Sequence, residues 1–228
     1  MTVNISQDTR ADLQEAIREI HLIAGLADES GSATHIPRGS LAIGVTSPDY
    51  GDGKTTIAIA LASSLSEDFG SEVTLADADF HTHSIGRQYG LDRSEGIAEV
   101  LSGQSQLAAV THRARSTATM SIVPAGRVPA DPARMARSEQ LAALVESMKA
   151  TSRYVVFDLP ATLHSMSAPV LAQRCDGVIV VARAGHTTRH DLDRTLHLLN
   201  NATVLGVVMN RQTTSVPAWA QRMLAMRP

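Results

Sequence analysis

A glycine-containing loop near residue 50 constrains the fold of this 228-residue chain more than any other feature. The apolar segment LAIGV at residues 41–45 leads into TSPDYGDGKTT at residues 46–56, and TTIAIALASSLSE at residues 55–67 then has the pattern of a helix. A loop between a strand and a helix N-terminus gathers several backbone N–H groups, and the helix dipole adds positive potential there. The sequence therefore predicts a phosphate-binding loop between a strand and a helix.

Four residues of this loop have the properties that a phosphate and its metal require. Gly51 and Gly53 allow unusual backbone torsions and a close approach of phosphate oxygens. Lys54 is expected to reach the β- and γ-phosphates, and the hydroxyl of Thr55 is expected to ligate Mg²⁺. The usual G-x-x-x-x-G-K-[ST] pattern opens with glycine, whereas this chain has Pro48 there. The alternative is an ordinary glycine turn that begins a helix, and the flanking strand and helix patterns favour the nucleotide site.

Apolar runs and helix patterns alternate along the rest of the chain. Continuous apolar strands separated by helices are typical of a buried parallel sheet covered on both faces. We therefore predict an α/β fold with a mostly parallel central sheet and helices on both faces. The further strands are predicted at residues 72–77, 120–126, 154–160, 176–183 and 204–211, and the further helices at residues 95–103, 138–150, 168–175 and 189–200.

Three parts of the chain differ in pattern. Residues 1–40 are expected to form an N-terminal amphipathic helix and a linker, because apolar side chains recur at helical spacing over residues 10–26 and small polar residues follow. Residues 41–211 are expected to form the nucleotide-binding domain. Residues 212–228 are expected to form a C-terminal tail.

Carboxylates come at the ends of two predicted strands. Asp77 and Asp79 follow an apolar run and lie two residues apart, and Asp158 follows YVVF. Ligands of open α/β sheets gather at the carboxyl ends of the strands, which is the edge where the glycine loop lies. Each acid alone could be a solvated loop residue or, for Asp77, a helix cap. Together with the loop they predict a site for a nucleotide and Mg²⁺, because phosphoryl chemistry needs carboxylates to hold the metal.

Composition excludes several other classes. A net charge of −3 and a pI of about 6.3 argue against a nucleic-acid binder, which usually has a basic stripe. Cys175 is the one cysteine, so an internal disulfide is excluded and a reducing compartment is expected. No apolar run approaches the roughly 20 residues that span a bilayer, and the polar first residues do not resemble a signal peptide. We expect a cytoplasmic protein.

The motifs taken together resemble those of a known family. TSPDYGDGKTT, LADADF and VVFDLP resemble the deviant-Walker P-loop proteins of the MinD/ParA-like group, which carry a second acidic motif on the strand after the P-loop helix. Within that group the chain is most similar to the bacterial tyrosine kinases of capsule and exopolysaccharide synthesis. The similarity extends through YGLDRSEGIAEVLSG at residues 89–103 and IVPAGRVPADPARM at residues 122–135, and ends at LGVVMNR. It implies a P-loop NTPase fold over most of the chain.

This resemblance implies a function and a set of site residues. The expected activity is transfer of the γ-phosphate of ATP to a protein tyrosine, or hydrolysis of ATP, with Mg²⁺ as cofactor. Asp77 is implied to be the general base, with Lys54 and Asp79 as further catalytic residues. The implied metal ligands are Thr55, Asp77, Asp79 and Asp158, and the implied nucleotide-binding residues are Asp49, Tyr50, Gly51, Asp52, Gly53, Lys54, Thr55, Thr56, Asn210 and Arg211, the last two at the adenine ring.

The resemblance also implies partners. The family's kinases have an E-x-x-R-x-x-R helix that packs protomers into a ring, and this chain has Glu15, Arg18 and His21 in that frame. The alternative is an ordinary ion pair on an exposed helix face. Many relatives are joined to, or act with, a membrane-embedded activator of polysaccharide assembly. We therefore expect self-association through the N-terminal helix, peripheral attachment to the inner face of the membrane through such a partner, and low activity without it.

Several positions depart from the family pattern. MinD/ParA ATPases carry a signature lysine five residues before the P-loop lysine, where this chain has Asp49, and a carboxylate there would repel phosphate. Tyr50 replaces the usual proline and is interpreted as structural rather than as a phosphorylation target. His81 and His83 stand where a basic pair and a proline are usual, and with His164 they are interpreted as surface histidines rather than as a zinc site.

The tyrosines of the chain do not decide between a kinase and a protein that only binds or hydrolyses ATP. The family's kinases end in a tyrosine cluster, and this chain has no tyrosine after Asp158, so phosphorylation of such a cluster is not expected. The first hypothesis is a tyrosine-kinase-like enzyme. The alternative is a kinase-inactive protein that binds ATP to regulate polysaccharide export, and a third possibility is a positioning ATPase of the MinD/ParA type.

Overall fold

The structure is a computed structural model that describes residues 2–6, 39–115, 117–129 and 131–212. The described residues alternate between strands and helices. The strands are β1 (Thr2–Ser6), β2 (Leu41–Thr46), β3 (Val73–Asp77), β4 (His112–Arg113), β5 (Met120–Val123), β6 (Tyr154–Asp158), β7 (Gly177–Arg183) and β8 (Val204–Gln212). The helices are α1 (Lys54–Glu67), α2 (Ser84–Tyr89), α3 (Ile97–Leu101), α4 (Leu107–Val110), α5 (Pro132–Ala136), α6 (Glu139–Thr151), α7 (Ala168–Ala172) and α8 (Arg189–Leu198).

The strands form one sheet in the order β1-β8-β7-β2-β6-β3-β5-β4. All neighbouring pairs are parallel except β4 and β5, which pair antiparallel at one edge. The predicted α/β fold with a mostly parallel sheet is therefore confirmed. Each strand and helix predicted between residues 41 and 211 is present, with boundaries that differ by a few residues.

Side chains of the central strands alternate between two apolar cores, one on each face of the sheet. Ile43 and Val156 pack on the face that α1 covers, whereas Ala42 and Val155 pack on the opposite face with α6. Successive side chains of a strand point to opposite faces, so a strand buried on both sides is apolar throughout. This explains why the strand sequences are continuous apolar runs without an alternating polar pattern.

The order of the strands places the phosphate loop and the acidic residues together. β2 ends at Thr46, directly before the loop, and lies between β7 and β6. β6 lies between β2 and β3, and its last residue, Asp158, is the register partner of Asp77. Two carboxylates from strands far apart in sequence are thus neighbours at the carboxyl edge of the sheet, where α1 begins.

Five elements were not predicted. Strand β1 lies within the segment that we expected to hold only a helix and a linker, and it pairs with β8 at the edge of the sheet. The others are α2, α4, β4 and α5, each of six residues or fewer, too short for a periodic pattern. The amphipathic helix predicted over residues 10–26 lies outside the described residues, as does almost all of the predicted tail. No helix in the described ranges is long and apolar enough to span a bilayer.

Gly96 provides a test of the packing beside the sheet. It precedes α3, and a β-carbon at this position would lie well inside contact distance of the carbonyl oxygen of Pro124 and the amide nitrogen of Gly126. Backbone atoms cannot rotate away, so we expect Gly96→Ala to lower the free energy of unfolding by about 1–3 kcal/mol, as overpacked sites do. Urea denaturation measures the change. Gly39→Ala is the matched control, since a β-carbon there meets nothing within 4 Å; equal losses in both variants would contradict the packing argument.

Candidate active site

The loop between β2 and α1 presents a row of unpaired backbone donors. Gly51 and Gly53 have φ values of 79° and 104°, which only glycine adopts readily. The first helical hydrogen bond of α1 is donated by the N–H of Ile57 to the carbonyl of Gly53, at 3.1 Å. The N–H groups of residues 51–56 donate no hydrogen bond to any other residue within the described ranges. Consecutive free N–H groups at the N-terminus of a 14-residue helix suit a phosphate.

Two distant elements hold this loop in place. The N–H of Thr162, after β6, donates to the carbonyl of Ser47 at 2.8 Å. On the other side, the amide nitrogen Nδ2 of Asn210 in β8 donates to the carbonyl of Asp52 at 2.8 Å. Asn210 lies so close that a β-carbon on Gly53 would collide with its amide. The conformation of the loop therefore depends on contacts with both β6 and β8.

The ammonium group of Lys54 lies inside the protein between two carboxylates. Its Nζ is 2.8 Å from Asp79 Oδ2 and 3.3 Å from Asp158 Oδ1. Thr55 Oγ1 donates to Asp158 Oδ2 at 2.6 Å, and Thr82 Oγ1 donates to Asp79 Oδ2 at 2.8 Å. Burial acts to lower the pKa of Lys54, but Asp158 and Asp79 outweigh burial and raise it. Burial likewise acts to raise the pKa of Asp79, but Lys54 outweighs burial and holds that pKa below its ordinary value.

Asp77 is the third buried carboxylate of this cluster, and it forms no ion pair with any of the described residues. Its Oδ1 accepts from the N–H of Asp79 at 3.1 Å, and its Oδ2 accepts from the N–H groups of Ile85 and Gly86 at 3.2 and 3.4 Å. Burial, together with the negative charge of Asp158, raises the pKa of Asp77 to about 7. Near neutral pH this carboxyl group is thus poised between its protonated and ionised forms, as a general base requires.

The residues at this edge supply oxygen donors of the kind that bind a divalent cation, although in this structure the ammonium group of Lys54 lies between two of the carboxylates. Three carboxylates, Asp77, Asp79 and Asp158, are fully buried beside one ammonium group, that of Lys54. Three carboxylates and one ammonium group leave negative charge in excess when all are ionised, and burial raises the pKa of Asp158 despite the attraction of Lys54. Carboxylate oxygens and the hydroxyl of Thr55 are the hard oxygen donors that Mg²⁺ prefers. The donor set and the charge imbalance both match the cofactor expected from the sequence.

Asp49 contacts a residue that lies far away in the sequence. Its Oδ1 is 2.6 Å from Nε2 of His164, which lies in the loop after β6. The ring of Tyr50 stacks on the ring of His164, with centroids 4.9 Å apart and an interplanar angle of 25°. The carboxylate at the signature-lysine position is therefore paired with an imidazole from the same chain.

Comparison with known proteins identifies the family. A family model described as NUBPL iron-transfer P-loop NTPase, ParA, matches residues 40–225. The chain belongs to this ParA-like family of P-loop NTPases. The predicted fold and the predicted group of P-loop proteins are both confirmed.

The relatives of this P-loop NTPase include bacterial tyrosine kinases. Tyrosine-protein kinase CpsD of Streptococcus agalactiae serotype Ia is 26% identical over 180 residues, which cover 78% of this chain and 77% of CpsD. The solved kinase domain of the Escherichia coli tyrosine kinase ETK has the same fold, with a TM-score of 0.80, 17% identity and coverage of 95% and 91% of the two chains. MinD of Pyrococcus horikoshii, solved with Mg-ADP, has a TM-score of 0.64 at 23% identity, covering 80% of this chain and 76% of MinD.

The other predicted site residues of the P-loop NTPase differ in their burial and in their contacts. Asp52 is fully buried, its Oδ2 accepts from the N–H of Asp49 at 3.1 Å, and its Oδ1 has no partner among the described residues. Thr56 is exposed on the first turn of α1, and Arg211 is exposed with a φ of 57°. Their roles at the nucleotide stay predictions. The predicted interface residues Glu15, Arg18 and His21 lie outside the described residues.

Two polar contacts of the site were not predicted. Thr82 stands three residues after Asp79 and donates to its carboxylate through both its hydroxyl and its N–H, while the N–H of His81 donates to the same carboxylate in an Asx turn. That local pattern could have been found in the sequence. The contact of His164 with Asp49 has no such signal, because the two residues come from separate loops and meet only in the folded sheet.

The three histidines near the acidic loop do not converge. His81 is exposed, and His164 contacts Asp49. His83 has a φ of 47° and a buried Nε2 that has no partner among the residues that the structure describes. Within the described ranges no group of three His, Cys, Asp or Glu residues has the arrangement of a metal site. The carboxylates around Lys54 are held instead by its ammonium group, by Thr55 and by backbone N–H groups.

The raised pKa of Asp77 predicts a pH-dependent stability. Folding disfavours the ionised form of this group, so its contribution to the free energy of unfolding falls as pH rises from about 4 towards 7. Asp77→Asn removes that dependence. Relative to the wild type, the variant should gain on the order of 1–3 kcal/mol between pH 5 and pH 8 without Mg²⁺ or nucleotide, measured by urea denaturation.

The control for this experiment is Asp193→Asn, which changes an exposed carboxylate on α8. A fixed difference between Asp77→Asn and the wild type, the same at both pH values, would show that Asp77 has no raised pKa in the folded chain.

Proposed function

We propose that this P-loop NTPase binds ATP and Mg²⁺ and transfers the γ-phosphate to a protein tyrosine, as a tyrosine-kinase-like enzyme of polysaccharide assembly. The observation that carries the proposal is the row of free N–H groups at residues 51–56 beside the buried cluster of Lys54 and three carboxylates. Kinship with tyrosine-protein kinases such as CpsD and YwqD supports the choice of acceptor.

Each group of the cluster has a chemical task in this proposal. The N–H groups of the loop and the ammonium of Lys54 would bind the β- and γ-phosphates of ATP. Thr55, Asp79 and Asp158 would hold Mg²⁺, which when bound neutralises phosphate charge during transfer. Lys54 must then exchange its carboxylate partners for phosphate oxygens. Asp79 and Asp158 would then need another positive charge in place of Lys54, so we expect ATP and Mg²⁺ to bind together.

Asp77 is the proposed general base. In the transfer step a tyrosine hydroxyl forms a bond to the γ-phosphorus, the bond from that phosphorus to the bridging oxygen breaks, and ADP leaves. The hydroxyl proton passes to Asp77, whose pKa of about 7 suits this exchange. Asp77 is fully buried, so an acceptor reaches it only when the residues around it move aside.

The same burial supports a second candidate, a nucleotide-dependent switch without phosphoryl transfer. Both oxygens of Asp77 accept backbone hydrogen bonds, which fix the carboxylate away from solvent. A protein of that kind would bind ATP to regulate polysaccharide export. A positioning ATPase of the MinD/ParA type is less favoured, because Asp49 is paired with His164 and no lysine stands at its position. Iron transfer, named in the family description, would need several thiolates, and the sequence has one cysteine.

The partners and the location are also proposals. We infer self-association through the N-terminal helix, and recruitment from the cytoplasm to the inner face of the membrane by a membrane-embedded activator of polysaccharide assembly. Both follow from the resemblance to the capsule and exopolysaccharide kinases. Neither requires a bilayer-spanning segment in this chain.

ATP binding is tested by removing the ammonium group of the loop. Lys54→Met should weaken ATP binding in the presence of Mg²⁺ roughly 10- to 100-fold, because a charged hydrogen bond contributes about 1.5–3 kcal/mol. Titration calorimetry measures the dissociation constant. Lys149→Met is the matched control, since Lys149 is paired with Asp176 at the amino end of the sheet. Equal affinities of Lys54→Met and the wild type would overturn the nucleotide site.

Phosphoryl transfer is tested with ATP labelled on the γ-phosphate and a copolymer of glutamate and tyrosine as acceptor, with and without the membrane activator. The kinase proposal expects label on tyrosine that falls at least about 100-fold in Asp77→Asn, as expected when general-base catalysis is lost. Binding of ATP without transfer to any acceptor would sink the kinase proposal and favour the switch.

A further inference from the structure

The chain has three tyrosines, and they differ sharply in accessibility. Tyr154 lies in β6 and is 2% exposed. Tyr89, at the end of α2, is partly buried and packs against the core on the α1 face of the sheet. Tyr50 is 40% exposed and lies in the phosphate loop. Among the tyrosines of these 228 residues, Tyr50 is therefore the most accessible to a macromolecule.

Tyr50 lies in the loop that leads to the reaction centre. It directly follows Asp49 and stands four residues before Lys54, and burial together with the negative charge of Asp79 raises the pKa of its phenol. Stacking on His164 fixes one face of the ring, and the contact of His164 with Asp49 fixes the imidazole in turn. The ring is thus presented at the mouth of the site in a defined position and is still exposed.

We propose that Tyr50 is a phosphorylation site of this chain, modified by a second copy, and that phosphate on Tyr50 weakens ATP binding to the modified copy. This inference rests on the proposed kinase function. It replaces the interpretation of Tyr50 as merely structural that the sequence favoured.

The position of Tyr50 favours transfer between copies over transfer within one copy. In-line phosphoryl transfer requires the attacking oxygen on the side of the γ-phosphorus opposite the leaving ADP. Tyr50 belongs to the loop that would hold the phosphates, four residues before Lys54, and its ring is stacked on His164. This contact holds the ring beside its own loop, whereas the exposed part of the ring can enter the site of a second copy.

The transfer step balances without any further reactant. The Tyr50 oxygen forms a bond to the γ-phosphorus of ATP bound to the second copy, and the bond between that phosphorus and the β–γ bridging oxygen breaks. The second copy's Asp77 takes the phenolic proton. The products are phosphotyrosine at position 50 and ADP.

Phosphate at this position would act directly on the nucleotide site. It adds about −1.5 to −2 charges at neutral pH, in the loop that must bind the negative phosphates of ATP. Asp49, its neighbour, is already a carboxylate, and Lys54 is already paired with Asp79 and Asp158. The added charge would therefore repel ATP, and the reaction would limit itself as copies become modified.

Mapping the label tests the inference and keeps it separate from the proposed function. The full chain is incubated with Mg²⁺ and γ-labelled ATP, together with the copolymer of glutamate and tyrosine, and phosphotyrosine is located by mass spectrometry. Phosphate on Tyr50 is expected. Labelled copolymer with no phosphate on Tyr50 would overturn the inference and leave the kinase function standing. No label on chain or copolymer would overturn both.

Three variants sharpen the assignment. For each variant, the label on the chain is divided by the label on the copolymer in the same reaction. This ratio should fall by at least about nine-tenths in Tyr50→Phe. Tyr89→Phe, the matched control, should keep its label. Lys54→Met chains, which should bind ATP weakly, are expected to acquire phosphate on Tyr50 when they are mixed with the wild type; absence of phosphate on those chains would overturn transfer between copies.

The effect on affinity is measured on the modified protein itself. Chains enriched on an antibody against phosphotyrosine should bind ATP at least fivefold more weakly than the same sample after treatment with a tyrosine phosphatase. Equal affinity before and after that treatment would overturn the self-limiting part of the inference.

Discussion

One ammonium group among three buried carboxylates is the interaction on which the site depends. Removing charges from water is costly, and a buried pair compensates for this only when each charge is well partnered. Lys54 bridges Asp79 and Asp158, while Thr55, Thr82 and backbone N–H groups satisfy the remaining carboxylate oxygens. Asp77 has hydrogen bonds but no cation partner among the described residues, and burial together with the charge of Asp158 raises its pKa. The protein therefore holds an ammonium group and three carboxylates in a buried position, where their desolvation is costly.

The sheet makes this arrangement possible. Parallel strands end at the same edge, so a residue that terminates β3 and one that terminates β6 become neighbours in register. The helix after β2 begins at that edge and brings Lys54 between them. Packing on both faces holds the strands in this order, and the apolar residues that do so are those that made the strands recognisable in the sequence.

Much of this could be predicted from the sequence because its signals are local. The phosphate loop, the long helices and the apolar strands each follow from a pattern within about a dozen residues. That Asp77, Asp79 and Asp158 share an edge follows from a rule about parallel sheets. The insertion of β6 between β2 and β3 has no local signal, and it decides that Asp158 lies beside Asp77. The contact of Asp49 with His164 was not predicted either, because it too has no local signal. Helices α2 and α5 are too short to show a helical period in the sequence.

The hydrogen bond from Asn210 to the carbonyl of Asp52 connects the phosphate loop to the strand where the base of a nucleotide is expected. Asn210 stands near the end of β8, where the base of ATP is expected, yet its amide supports the loop that would bind the phosphates. We therefore expect a change at Asn210 to weaken binding of both the base and the phosphates, so its effect on affinity could not be assigned to the base alone. Comparison of ATP with inorganic triphosphate in such a variant would divide the loss between them. On this expectation, recognition of the base and binding of the phosphates depend on the same side chain.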